Sequence, residues 1–300
     1  MEGYYSRKRQ LREDISGYLF ISPWLIGFFL FSIIPILMSL YFSFTNYDIL
    51  GSPIFNGLAN FKRIGTDARF WKSLSVTFTY AFIAVPLRLV FAFFLASLFK
   101  RNSRMIRFYQ VAYYIPSLVG GSIAVAIIWR RMFTIDGLFN SFLQTIGINS
   151  TLSWIGSSRT ALGVLIVLAV WQFGSSMLIF LAGLRQIPKT YYEAASIDGA
   201  GWFSQFFRIT LPQMTPIIFF NLIMQLINGF TVFSQAFIIS GGKGEPQDST
   251  LVYALYLYLR AFSYHEMGYG SALAWVLVLI IAFFTAFIFK TQDRWVHYEA

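Results

Sequence analysis

The 300-residue chain is 57% hydrophobic and only 12% charged, and it carries a formal net charge of +10. A soluble domain has about 25% charged residues, so a chain this poor in charge, with its apolar residues in long runs, is expected to sit in a bilayer. It has no cysteine and two histidines, His265 and His297, which excludes a disulfide scaffold, an iron–sulfur centre and a Cys- or His-rich metal site. The basic residues flank apolar runs rather than lining one polar face, a pattern that sets membrane topology and speaks against nucleic-acid binding.

A spanning helix needs about 20 mostly apolar residues, and six segments meet that length. Residues 1–16 read as a cytoplasmic tail. The first span, Gly17–Phe44, is too long, too interrupted by Pro23 and Pro35, and too poor in small residues at its end to be a cleaved signal peptide. The others run near Leu74–Phe99, Arg107–Met132, Ala161–Leu184, Gln213–Ile239 and Ser271–Lys290, and residues 291–300 form a second tail. The result is an all-α integral membrane protein with one transmembrane domain over 17–290, embedded in the lipid bilayer.

Basic residues are more numerous on the side that holds both termini. Arg7, Lys8, Arg9 and Arg12 precede span one, and Lys100, Arg101, Arg104 and Arg107 follow span two; Arg185, Lys189, Arg208, Lys290 and Arg294 share that side. Both termini are therefore expected in the cytoplasm. Tyr41, Tyr47, Trp71, Trp129, Trp154 and Trp295 lie near span ends, as an interfacial aromatic belt would. In the extracellular segment 240–270, the stretch Leu251–Phe262 is apolar but too short to span, and is expected to form an interfacial or vestibule helix.

The cytoplasmic loop 186–212 carries the sharpest signal. Pro188 precedes a helix start, and Thr190 with Glu193 makes a Thr-x-x-Glu capping box. Ala194 and Ala195 favour helix, and Gly199 and Gly201 break it. A second amphipathic stretch then runs through Phe203, Phe206, Phe207 and Ile209. Two short helices joined by a glycine turn are predicted: a small-residue knuckle that could fit a groove on a partner and move as a body.

Glu193, Ala194 and Ala195, then Gly199, then Ile209, Leu211 and Pro212 follow the pattern E-A-A-x3-G-x9-I-x-L-P. This resembles the hallmark loop of ABC importer permeases. Over most of its length the chain also resembles the larger permease subunit of maltose-type and glycerol-phosphate-type sugar importers, through Tyr113-Tyr-Ile-Pro-Ser117, Trp171, the Gly241-Gly242 turn and Gly268-Tyr-Gly-Ser-Ala272. The resemblance implies a type I importer permease fold in a bacterial cytoplasmic membrane. It further implies that Glu193, Ala194, Ala195, Asp198, Gly199 and Ala200 dock on an ATPase. The partners it implies are a second homologous permease, two ATPase subunits that use ATP and Mg, and an extracellular solute-binding protein. The alternative for Glu193 is that it only caps its helix, and capping and docking can coexist.

Gly241-Gly-Lys-Gly244 is not a phosphate loop, because Phe237 stands where the first glycine would be and Gly244 where Ser or Thr is needed. No catalytic constellation stands out, so no enzyme activity and no bound cofactor are expected. Asn221, Gln225, Asn228 and Gln235 fall within an arc of about 80° on span five. They could line a pathway for a di- or oligosaccharide or serve as interhelical hydrogen-bonding groups. The resemblance adds Tyr113 and Ser117 of span three and Trp171, Gln172 and Ser175 of span four as substrate contacts. Ordinary packing is the alternative for each, and span four departs from the family pattern at Phe173-Gly174-Ser175. Arg88 lies inside span two, where charge is costly; it could face a cavity, pair with a carboxylate or snorkel, and an acidic sugar or glycerol phosphate would give it a role. A secondary transporter or channel would need intramembrane acids that the spans lack, and neither it nor a structural scaffold explains the knuckle.

Overall fold

The computed structural model describes residues 2–100 and 103–297, with side chains described from residue 13 onward. Arg101 lies outside the described residues, as do the side chains of Arg7, Lys8, Arg9 and Arg12. The chain divides into two compact units: the residues up to Gly65 with Arg260–Trp275, and Thr66–Leu259 with the residues from Val276 onward.

In the first unit, α1 (Glu2–Phe28) passes through a π-helical turn, Phe29–Ile33, into α2 (Ile34–Ser43). The segment 1–16 is thus helical from Glu2, as its run of Arg, Lys, Leu and Glu favours. The wide turn falls just before Pro35, which has no N–H for the regular ladder. A two-residue pairing of β1 (Thr45–Asn46) with β2 (Ile54–Phe55) follows. Then α3 (Ala59–Thr66) is pinned by buried Asn60, whose side-chain amide donates to the carbonyls of Ser43 at 3.0 Å and Thr45 at 2.8 Å. Glu266 accepts from Arg63 at 2.8 Å and Arg260 at 3.1 Å.

The second unit is built around α4 (Ala68–Leu98), capped by Asp67, which accepts from the amides of Arg69 and Phe70. Span three is not the single helix predicted. It consists of α5 (Arg104–Val119) and α6 (Ile123–Met132), which meet at 98°. Pro116 removes one ladder donor, Gly120 and Gly121 free the backbone, and Ser122 recaps α6 by accepting from the Val125 amide. A short α7 (Leu138–Thr145) precedes α8 (Ala161–Trp171) and α9 (Gly174–Gln186), which together make span four.

After α10 (Lys189–Ile197) and α11 (Trp202–Gln205), a π-helical turn over Phe206–Thr210 leads without a break into α12 (Leu211–Phe230). The second amphipathic stretch is therefore the head of span five rather than a separate helix. Span five breaks at Thr231–Phe233 and resumes as α13 (Ser234–Ile239). The stretch Leu251–Phe262 contributes α14 (Tyr253–Tyr258), where Leu251 through Tyr253, Leu255 and Tyr256 are fully buried and Thr77 of α4 accepts from the Tyr253 amide at 2.7 Å. The apolar stretch is too aromatic and too continuous to leave one face wet. The chain then forms α15 (Met267–Thr291). Among the described residues, five helical stretches are long and apolar enough to span a membrane, or six if the bent α5–α6 pair is one span.

The core joins three spans. Val85, Leu89 and Ala92 of α4 meet Met177, Phe180 and Leu184 of α9 and Met214 of α12. Large apolar side chains remain exposed on many helices, Phe20, Phe31 and Phe283 among them. In water this would be a liability, but in lipid it is the solvated surface.

Candidate functional site

Three spans break near one place, and each break has a named cause. At the α5–α6 bend, a Cβ on Gly120 would lie 2.4 Å from the Gln172 side chain and 2.5 Å from the Pro116 carbonyl, so only glycine fits. At the α8–α9 junction the Gln172 amide donates to Ala169 in a tight turn, and the Gln172 carbonyl leaves the ladder. That carbonyl is taken up by the Arg88 guanidinium and by the Ser117 hydroxyl, which donates at 2.9 Å. Ser117 Oγ in turn accepts from the Ser175 amide at 3.1 Å. The third break, Thr231–Phe233, separates α12 from α13, whose Gln235 side-chain amide donates to the freed carbonyl of Gly120 at 3.5 Å. Irregular backbone at membrane depth is tolerated where protein buries it or where it lines a wet cavity.

Here it lines a cavity of about 410 Å³. Tyr80 and Arg88 of α4, Gln172, Gln225 and Asn228 of spans four and five, and Gln235 of α13 supply its polar wall. The size falls in the range of small-molecule sites. No acidic residue is among the described residues that line it.

The structure sorts the nine predicted pathway residues. Gln172, Gln225, Asn228 and Gln235 face the cavity. Asn221 is buried, and its amide donates to the Ile217 carbonyl of its own helix. Gln225 does both jobs, lining the cavity and donating to Ser176 Oγ at 3.1 Å. Tyr113 lies between the rings of Phe99 and Phe173, Trp171 packs on Trp129 at 5.6 Å, and Ser117 and Ser175 brace the α8–α9 junction. None of these four is among the residues that line the cavity. The single-helix stripe also needs correction: α12 ends at Phe230, and Gln235 joins the others from a separate helical segment, α13. Tyr80, about two turns before Arg88 on the same helix, was missed; its polar tip inside a span was the available signal.

The predicted knuckle is present, but its start differs. The residue capping α10 is Pro188 and no side chain caps it, so Thr190 falls inside the first turn and the capping box does not form. The proline's fixed φ and extended ψ already set the entry angle, which leaves Glu193 exposed instead of folded back. The far end is a Schellman turn: the Ala200 amide donates to Ala195 at 2.8 Å, the Gly199 amide donates to Ser196 at 3.1 Å, and Gly199 has φ +77°. The Gln205 side chain donates to Ser196 Oγ at 2.9 Å and to the Ala200 carbonyl at 3.1 Å. The Tyr192 hydroxyl shares a 2.9 Å hydrogen bond with that of Thr210, and Lys100 stacks over the Tyr192 ring at 4.2 Å. Glu193, Ala194, Asp198 and Gly199 are exposed, while Ala195 and Ala200 are half-buried. The bracing by Tyr192 and Gln205 was not foreseen, since polar residues in a loop carry no mark of their partners.

Residues 68–298 match the model of a family described as binding-protein-dependent transport system inner membrane component. The chain belongs to that family. This membrane component is 52% identical, over 98% of its own length and 96% of the relative's, to the probable ABC transporter permease protein YesP of Bacillus subtilis. It is 32% identical, over 94% and 96% of the two chains, to the probable starch degradation products transport system permease protein AmyD of Thermoanaerobacterium thermosulfurigenes. Its fold matches a chain of a bacterial ABC transporter involved in the import of the acidic polysaccharide alginate, with a TM-score of 0.81 and 20% identity over 96% of this chain and 99% of that one. The family component is therefore a multi-pass transport subunit with the type I importer permease fold.

Proposed function

We propose that this chain is the sugar-conducting subunit of an ATP-driven importer. A solute-binding protein outside the cell delivers a carbohydrate to the cavity. One of two ATPase subunits, which use ATP and Mg, docks on Glu193–Ala200 and its flanks, and a second related permease completes the pathway. Both termini then lie in the cytoplasm of a bacterial cell.

One observation carries the reading. The knuckle is tied through Gln205 and Thr210 to the head of the same continuous helix that presents Gln225 and Asn228 to the cavity. A push on the exposed turn is thus delivered to the cavity wall by a rigid rod about 30 Å long. Side-chain amides and a tyrosine suit sugar hydroxyls, and the relative named for starch degradation products handles a carbohydrate.

The test is to purify the chain from its native membrane with its neighbours and to measure ATP hydrolysis on adding sugar-loaded binding proteins. An ATPase should co-purify and be stimulated, and Glu193→Lys with Gly199→Pro should abolish both. Recovery of the intact chain without any ATPase would sink the reading.

A further inference from the structure

The charge of Arg88 is not accounted for by carrying a neutral sugar. Its described hydrogen bond goes to a neutral acceptor, the Gln172 carbonyl, while its Nε is buried and makes no hydrogen bond to the described residues. No carboxylate among the described residues pairs with it, and the cavity wall it belongs to holds amides and a phenol but no acid. A guanidinium has five donors in a planar fork, shaped for two oxygens of one anion. Bracing the Gln172 break uses only part of that fork, and the neutral Ser117 hydroxyl already shares this work.

Resting on the proposed carbohydrate reading, we infer that the cavity selects a sugar that carries an anionic group, held by the Arg88 guanidinium in its wall. The side-chain amides of Gln172, Gln225, Asn228 and Gln235 then face the sugar hydroxyls. The recognised chemistry is a carboxylate, as in a uronate, or a phosphate ester; Arg binds both through paired charge-assisted hydrogen bonds.

The test uses the whole transporter with its binding protein in proteoliposomes. Uptake is compared for a galacturonate oligomer, its methyl ester, glycerol phosphate and maltose, in wild type, Arg88→Lys and Arg88→Gln. The binding protein's own affinity is measured separately, so that a change in uptake traces to the permease. The expected result is transport of one anionic substrate, and which one moves identifies carboxylate or phosphate as the source. Arg88→Gln should cut that uptake at least tenfold, with Arg88→Lys between the two. Where the methyl ester moves at all, its rate should fall much less in Arg88→Gln than that of the charged oligomer. Equal loss of charged and neutral uptake in Arg88→Gln would make Arg88 a bracing residue only and overturn the inference. So would wild-type preference for maltose or the methyl ester, an outcome that leaves the carbohydrate reading intact. Stimulated ATP hydrolysis with no sugar moved at all would overturn both.

Discussion

At the residue scale, two side chains of similar type do different work because of their surroundings. Asn221 is buried and bonded within its own helix, whereas Asn228 is exposed to the cavity and its side chain makes no described hydrogen bond. Asn228→Leu is therefore expected to slow transport with little change in thermal stability. Asn221→Leu should do the opposite, and paired uptake and unfolding measurements separate the two. Gln225 sits between them: Gln225→Leu removes its bond to Ser176, at a cost of about 0.6 kcal/mol on average for such bonds in membranes, and should lower both readouts. Gly199 at φ +77° is a second case. A β-branched residue there faces a cost of about 1–2 kcal/mol, so Gly199→Val should weaken ATPase co-purification roughly tenfold while the spans stay folded by circular dichroism.

At the element scale, the breaks in the spans matter more than the spans themselves. Hydropathy and length locate spans well, and five of the six came out, among the described residues, as apolar stretches long enough to span, two of them with a local break. The 98° bend in span three was not foreseen, although Pro116, Gly120 and Gly121 mark the place. A proline and two glycines permit a bend, but its stability depends on partners for the freed backbone. One of these is Gln235, distant in sequence by 115 residues. Gly120→Ala puts a Cβ against Gln172 and the Pro116 carbonyl, and such overpacking typically costs about 1–3 kcal/mol. A lower melting temperature in detergent, with uptake reduced in step, is the expected outcome. The knuckle was legible to a different degree. Its pattern and its glycine turn could be read directly, but its capping box could not, because Pro188 takes the position that Thr190 would need.

At the scale of the whole molecule, the polar groups of separate spans converge on one cavity, and its accessibility can be probed directly because the chain has no cysteine of its own. Single cysteines at Asn228, Ser234 and Gln235 are expected to react with a hydrophilic thiol reagent in membranes, and a cysteine at Asn221 to stay unreactive. Labelling at Asn221 as fast as at Asn228 would mean that the cavity does not end where the structure places it. Labelling at Asn228 should also respond to ATP if the rod from the knuckle moves the wall, and Gln205→Ala should weaken that response by freeing the turn from its brace.

The sequence by itself determined that this is a membrane protein, roughly where it spans, and that one loop forms a small-residue knuckle with a spaced motif. Each of these depends on local order: runs of apolar residues, flanking charge, and a spaced motif within a single loop. Tertiary structure alone decided which polar residues meet. Gln172, Asn228 and Gln235 come together from separate elements, Ser117 braces the Gln172 carbonyl, and Arg88 found its acceptor in the same carbonyl, released by a break in another span. In a bilayer a broken helix survives only where distant groups satisfy it, so the site exists where three breaks complete one another, and no single segment carries that information.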